Sequence, residues 1–151
     1  MNEVEILTAE VGDSLELPFY PEGIQAGFPS PATDYEEESI DLNKELIKHR
    51  DATFYGRVRG DSMIDAGFHP GDLIVIDKAL EPQDGDIVVA FVNGEDEGFT
   101  IKELDLSQKK NGFIRLVPHN KAYKPIVITP EQTSIIWGVV TYCIHRHARY
   151  R

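Results

Sequence analysis

From Thr53 onward the chain alternates apolar and polar positions with a period of two, the pattern of half-buried β-strands. Turn-forming clusters interrupt it at roughly ten-residue intervals. The pattern predicts strands over Thr53–Arg59, Leu73–Asp77, Asp86–Val92, Phe99–Leu104, Phe113–Val117, Ile126–Ile128 and Ile135–His145. His69-Pro70-Gly71-Asp72, Gln83-Asp84-Gly85-Asp86 and Asn93-Gly94-Glu95-Asp96 supply the turns between them, through positive-φ glycines and locally hydrogen-bonding aspartates. Many short strands so spaced predict a mainly β fold built on a partly closed sheet.

Upstream the pattern changes. Asp41–His49 reads as a short amphipathic helix, with Asp41 as its cap and Leu42, Leu46 and Ile47 as one apolar stripe. Residues 1–40 hold Pro18, Pro21, Pro29 and Pro31 and the acidic run Glu36-Glu37-Glu38, which argue against a compact helical domain. Val4 and Ile6, and Leu15 and Leu17, alternate, so parts of this segment suit edge strands. The expected organisation is an extended N-terminal arm, 1–40, and one folded domain, 41–151.

Composition narrows the partners. The net charge is −11, and residues 1–26 carry six acids (Glu3, Glu5, Glu10, Asp13, Glu16, Glu22) with no Lys or Arg, leaving −5 on the other 125 residues. An acidic chain releases no counterions from DNA, so little direct nucleic-acid binding is expected, and proteins are the expected partners. No apolar run approaches the ~18 residues of a membrane span, and the N-terminus lacks the basic and long apolar regions of a secretory leader. One cysteine, Cys143, leaves no internal disulfide and suits a reducing cytoplasm.

Two residues carry the candidate chemistry. Ser62 stands in Arg59-Gly60-Asp61-Ser62-Met63, where a strand ends and a sharp turn begins. Lys102 stands inside the alternating run Phe99–Leu104, sharing a face with Thr100 and Leu104. A serine hydroxyl needs a base to become nucleophilic. Lysine serves near neutral pH only if burial lowers its pKa by roughly three units, about 4 kcal/mol. The turn at Gly60–Met63 would aim backbone N–H groups at one point, as an oxyanion requires. Ala26-Gly27 is a small-residue bond in an irregular stretch, able to enter a narrow cleft. Each feature alone has an ordinary reading: Gly-Asp-Ser is a common turn, and strand lysines usually face solvent.

Together with their surroundings they resemble a known family. Ala26-Gly27-Phe28-Pro29-Ser30-Pro31-Ala32, Gly60-Asp61-Ser62-Met63-Ile64-Asp65, Gly71-Asp72-Leu73-Ile74-Val75-Ile76-Asp77 and Phe99-Thr100-Ile101-Lys102 are similar to the LexA-like serine peptidases. They are most similar to members that serve as self-cleaved subunits of error-prone translesion DNA polymerases. The resemblance implies a LexA/signal-peptidase-like fold and Ser62 as nucleophile. It further implies Lys102 as general base, the backbone N–H groups of Asp61 and Ser62 as oxyanion donors, and Ala26-Gly27 as the bond cut. It also implies a homodimer, a RecA–single-stranded DNA filament as activator and the catalytic polymerase subunit as partner, with no cofactor and no metal. Val92–Gly98 is longer than the family's usual hairpin, and the tail from Ile144 to Arg151 is more basic.

Other constellations are weaker. Cys143, His145 and His147 alternate on one strand face with metal-ligand chemistry, but an exposed face explains them more simply. His49, His69 and His119 lie near turns without evident partners. Asp61, Asp65, Asp72 and Asp77 read as turn and strand-end residues. The rival readings are a non-catalytic interaction module of the same fold and a signal-peptidase-like enzyme acting on other proteins.

Overall fold

A computed structural model describes residues 2–8, 16–19, 38–94, 97–130 and 134–148. Strands β1 (Val4–Thr8), β2 (Glu16–Phe19) and β3 (Glu38–Asp41) precede helix α1 (Leu42–Leu46). There follow β4 (Thr53–Val58), β5 (Leu73–Asp77), β6 (Ile87–Val92), β7 (Gly98–Asp105), β8 (Ile114–Val117), β9 (Ile126–Ile128) and β10 (Ser134–Ile144). Eight of them form one antiparallel sheet in the order β1-β4-β5-β10-β6-β7-β8-β9, while β2 and β3 pair separately. The mainly β expectation holds, and the predicted strands from Thr53 onward agree with those observed to within a residue or so at each end.

The sheet curls into a half-barrel. β1 and β7 are far apart in the strand order, yet the Glu3 N–H donates to the Phe99 carbonyl at 2.8 Å. Two shifts of register along β10 help to bend it. One falls between Ile136 and Gly138 against β6, the other between Val140 and Tyr142 against β5, and such bulges sharpen local twist. Gly138 allows this approach: a Cβ there would stand 2.6 Å from Ile76 Cγ2.

Apolar residues cover both faces of the central strands. Val89 joins a core with Val4, Val58, Met63, Ile74, Ile76 and Ile101, whereas Val88 and Ala90 join Leu104, Leu116, Ile128 and Val139. This alternation follows from the period of two.

The helix is shorter than the sequence suggests. Asp41 caps it as expected, its carboxylate accepting from Asn43 N–H at 3.0 Å. Ile47, however, is already extended (φ −110°, ψ 103°). Five residues make little more than one turn, too few to lay down a buried stripe, and Leu42 is 56% exposed.

Candidate active site

β4 leads the chain out of the sheet into Arg59-Gly60-Asp61-Ser62. Several bonds fix the turn that follows. Ile64 N–H donates to Asp61 O at 3.2 Å, Asn120 Nδ2 donates to the same carbonyl at 3.0 Å, and Tyr123 OH donates to the Asp61 carboxylate. Beyond Ser62, Met63 is buried in the core beside Val4 and Val58. Asp65 N–H donates to His119 O at 2.9 Å. The loop from Pro118 to Pro125 thus leans on the turn and walls a cleft of about 310 Å³ beside it.

Lys102 comes from the middle of β7, opposite Val88 of β6. Thr100, Lys102 and Leu104 share a face and are buried, as is Ile101 on the other face. Curling the sheet brings the lysine to the turn, although 40 residues separate the two along the chain. Lys102 Nζ lies 2.9 Å from Ser62 Oγ, and both side chains are buried.

The ammonium has further company. Nζ also donates to Thr100 Oγ1 at 2.5 Å, to the Ile101 carbonyl at 3.2 Å and to Glu3 Oε1 at 2.5 Å. Thr100 Oγ1 in turn donates to the same Glu3 oxygen. Four oxygens therefore surround a group with three N–H bonds. Burial, the largest influence, holds the Lys102 pKa below the ordinary lysine range, while the hydrogen bond and charge of Glu3 oppose it. The first effect makes a base available; the second keeps it protonated. Tyr123 is pushed in the same sense as any acid beside an anion: the Asp61 carboxylate raises its phenol pKa.

The sequence reading singled out Ser62, Asp61 and Lys102, and the structure brings Ser62 and Lys102 into contact, with Asp61 in the adjoining turn. Ala26 and Gly27 lie outside the described residues. Glu3 was missed. So were Asn120 and Tyr123, which hold the turn from a distant loop.

A second polar cluster lies around Asp72. His145 Nδ1 bonds its carboxylate, His69 N–H donates to Oδ2 at 2.9 Å, and Cys143 Sγ approaches Oδ2 at 3.5 Å. One ligand-type atom each from His69, Asp72 and His145 falls within 4.8 Å of the others, and the hydrogen bonds to Asp72 account for the grouping. The expectation that the turn histidines lack partners is corrected for His49 and His119, whereas His69 Nδ1 makes no hydrogen bond among the described residues and lies 3.7 Å from Asp72 Oδ2. His49 Nδ1 meets the buried Asp77 carboxylate at 2.6 Å, and His119 Nε2 meets Glu103 at 3.1 Å. A buried carboxylate draws a nearby imidazole because the alternative is an uncompensated charge.

The Peptidase S24-like family matches residues 18–141. The chain belongs to the Peptidase S24-like family. The chain is 48% identical over 129 residues to Protein SamA of Salmonella typhimurium, covering 85% of each protein. Protein ImpA of Escherichia coli is 42% identical over 145 residues, covering 92% of this chain and 90% of the relative. The LexA repressor of Clostridium perfringens is 38% identical over 138 residues, covering 91% of this chain but 64% of the repressor. Within the S24-like peptidases the chain is UmuD-like, a self-cleaving serine peptidase of the SOS response connected with a translesion polymerase system. No helix among the described residues is long and apolar enough to cross a membrane.

Proposed function

We propose that Ser62 and Lys102 form a dyad that cuts the chain's own Ala26–Gly27 bond. The observation that carries this reading is the 2.9 Å contact between Lys102 Nζ and Ser62 Oγ, both buried, in an S24-like fold. In the reaction, neutral Lys102 takes the hydroxyl proton as Ser62 Oγ bonds to the Ala26 carbonyl carbon. The backbone N–H groups of Asp61 and Ser62 receive the oxyanion. Collapse breaks the C–N bond, Lys102 returns the proton to the Gly27 amine, and residues 1–26 remain as an ester on Ser62. Water, deprotonated by the same lysine, hydrolyses that ester.

The assignment makes residues 1–40 an arm that carries the cut site and docks through β1 on the sheet of the peptidase domain, 41–151. The 27–151 product pairs as a homodimer in the cytoplasm and joins the catalytic subunit of an error-prone polymerase. A RecA–single-stranded DNA filament favours the conformation that seats the bond. Membership of the family and the likeness to its UmuD-like members support these steps.

Intact mass against time, at pH 7 and pH 10, for wild type, Ser62→Ala and Lys102→Ala tests the reading. Cleavage needs the neutral amine, so its rate rises with pH as the Lys102 ammonium loses its proton. The lowered pKa places that rise below the ordinary lysine range. The expected product begins at Gly27 and is absent in both variants. An intact wild type even with RecA, ATP and single-stranded DNA, or normal cutting in either variant, refutes the dyad and leaves an interaction module of the same fold.

A further inference from the structure

The proposed reaction makes no use of Glu3, yet both its backbone and its side chain are tied to the site. Its N–H donates to Phe99 O at 2.8 Å, and its carbonyl accepts from Arg59 N–H at 2.7 Å. These partners flank the site, one at the start of β7 and the other just before the Ser62 turn. Val4, next along, is fully buried in the core. The Glu3 side chain is only 12% exposed, and its Oε1 accepts from both Thr100 Oγ1 and Lys102 Nζ. Gly60 makes room for it, since a Cβ there would stand 3.0 Å from Glu3 Oε2.

We propose that Glu3, with the strand β1 that follows it, is a built-in lock on the dyad: Glu3 holds Lys102 as its ammonium and occupies the backbone positions flanking Ser62, so Glu3 and the start of β1 must withdraw before the scissile segment can be cut. The proposal rests on the assignment of Ser62 and Lys102 and adds a positioning residue that neither is.

Three observations converge on it. A general base must accept the serine proton, and an ammonium has no lone pair with which to do so. Glu3 Oε1, 2.5 Å from Nζ, supplies a negative charge that favours the ammonium. The other groups against Nζ, namely Ser62, Thr100 and the Ile101 carbonyl, are uncharged. Charged side chains on the adjoining segments are engaged elsewhere: Arg59 with Glu5, Asp61 with Tyr123 and Glu103 with His119. Withdrawal of Glu3 therefore leaves the amine with burial alone, which drives off its proton. It also frees Phe99 O and Arg59 N–H as backbone partners open to an incoming extended segment.

The test compares Glu3→Gln with the parent in two ways. Lysine side-chain NMR, in a Ser62→Ala background that cannot cut, follows Lys102 through its titration. The midpoint is expected to move to lower pH when Glu3 becomes Gln. Self-cleavage at pH 7, in chains with Ser62 intact, is expected to run roughly tenfold faster in the variant, the gain that losing one close counter-charge produces. An unmoved or raised midpoint overturns the lock, and so does a lowered midpoint with an unchanged or slower rate. Val4→Ala keeps the carboxylate but loosens the strand, and it too is expected to cut faster; a Glu3→Gln chain that fails to fold leaves the decision to this variant. A wild type that never cuts at any pH defeats the peptidase assignment, and the titration then decides the Glu3–Lys102 coupling by itself.

Discussion

Val4→Ala measures how firmly the first strand is docked. Val4 is fully buried against Val58 and Ile74, so truncation removes two methyl groups from a closed site. The transfer loss is roughly 1.6 kcal/mol; with an incompletely collapsed cavity the total comes to about 2 kcal/mol. Because β1 lies at the sheet edge, hydrogen-bonded along its length to β4 alone, that loss multiplies the undocked population about thirtyfold. Native-state amide exchange reads it directly. In wild type the β1 amides and Arg59 N–H should open at a free energy well below that of β6 and β10. In Val4→Ala the β1 value should fall by about 2 kcal/mol. Amides opened only by global unfolding follow by the same amount, because the native state itself is destabilised. The gap between the two sets is therefore the diagnostic. If β1 and the core share one opening free energy in both proteins, the strand leaves only when the whole domain unfolds, and the reasoning fails.

Two further outcomes are expected. Cys143 is an exposed residue whose thiol pKa is raised to about 12 by burial of the sulfur and by Asp72, so iodoacetamide at pH 8 should label it about a thousandfold more slowly than an ordinary thiol. Asp72→Asn should recover part of that rate, and fast labelling of the wild type refutes the contact. Gly138→Ala would press a Cβ to within 2.6 Å of the buried Ile76 Cγ2, and a loss of about 1–3 kcal/mol is expected from denaturant midpoints; an unchanged midpoint shows that β5 and β10 separate freely.

Much of this arrangement was legible in the chain. Strands from Thr53 to Ile144 could be placed because alternation and Gly-Asp turns are local properties, and spacing put Lys102 on one face with Thr100 and Leu104, although both faces of that strand carry buried residues. Glu3 could not be read that way. It stands in an acidic run where a solvated carboxylate is the ordinary expectation, and its partner lies 99 residues downstream. One hint is present in the chain: a buried lysine needs a counter-charge or several acceptors. The helix was overextended because propensity is local whereas its end is set by Ile47 turning extended. The histidine–aspartate pairs escaped for the same reason as Glu3, since each joins residues remote in sequence.

The place of β1 also orders the assembly of the domain. As the chain is synthesised, residues 3–8 emerge before their partners and meet them only when Thr53–Val58, and then Phe99–Lys102, have appeared. Closing loops of that length before any contact rewards them is slow. As an edge strand paired with β4 alone, β1 is expected to settle after the central strands, outside the folding transition state. Substitutions in β1 should then leave the folding arm of a chevron nearly unchanged and steepen the loss on the unfolding side. A nascent domain would pass through a stage in which Ser62 and Lys102 have met and Glu3 has not yet arrived.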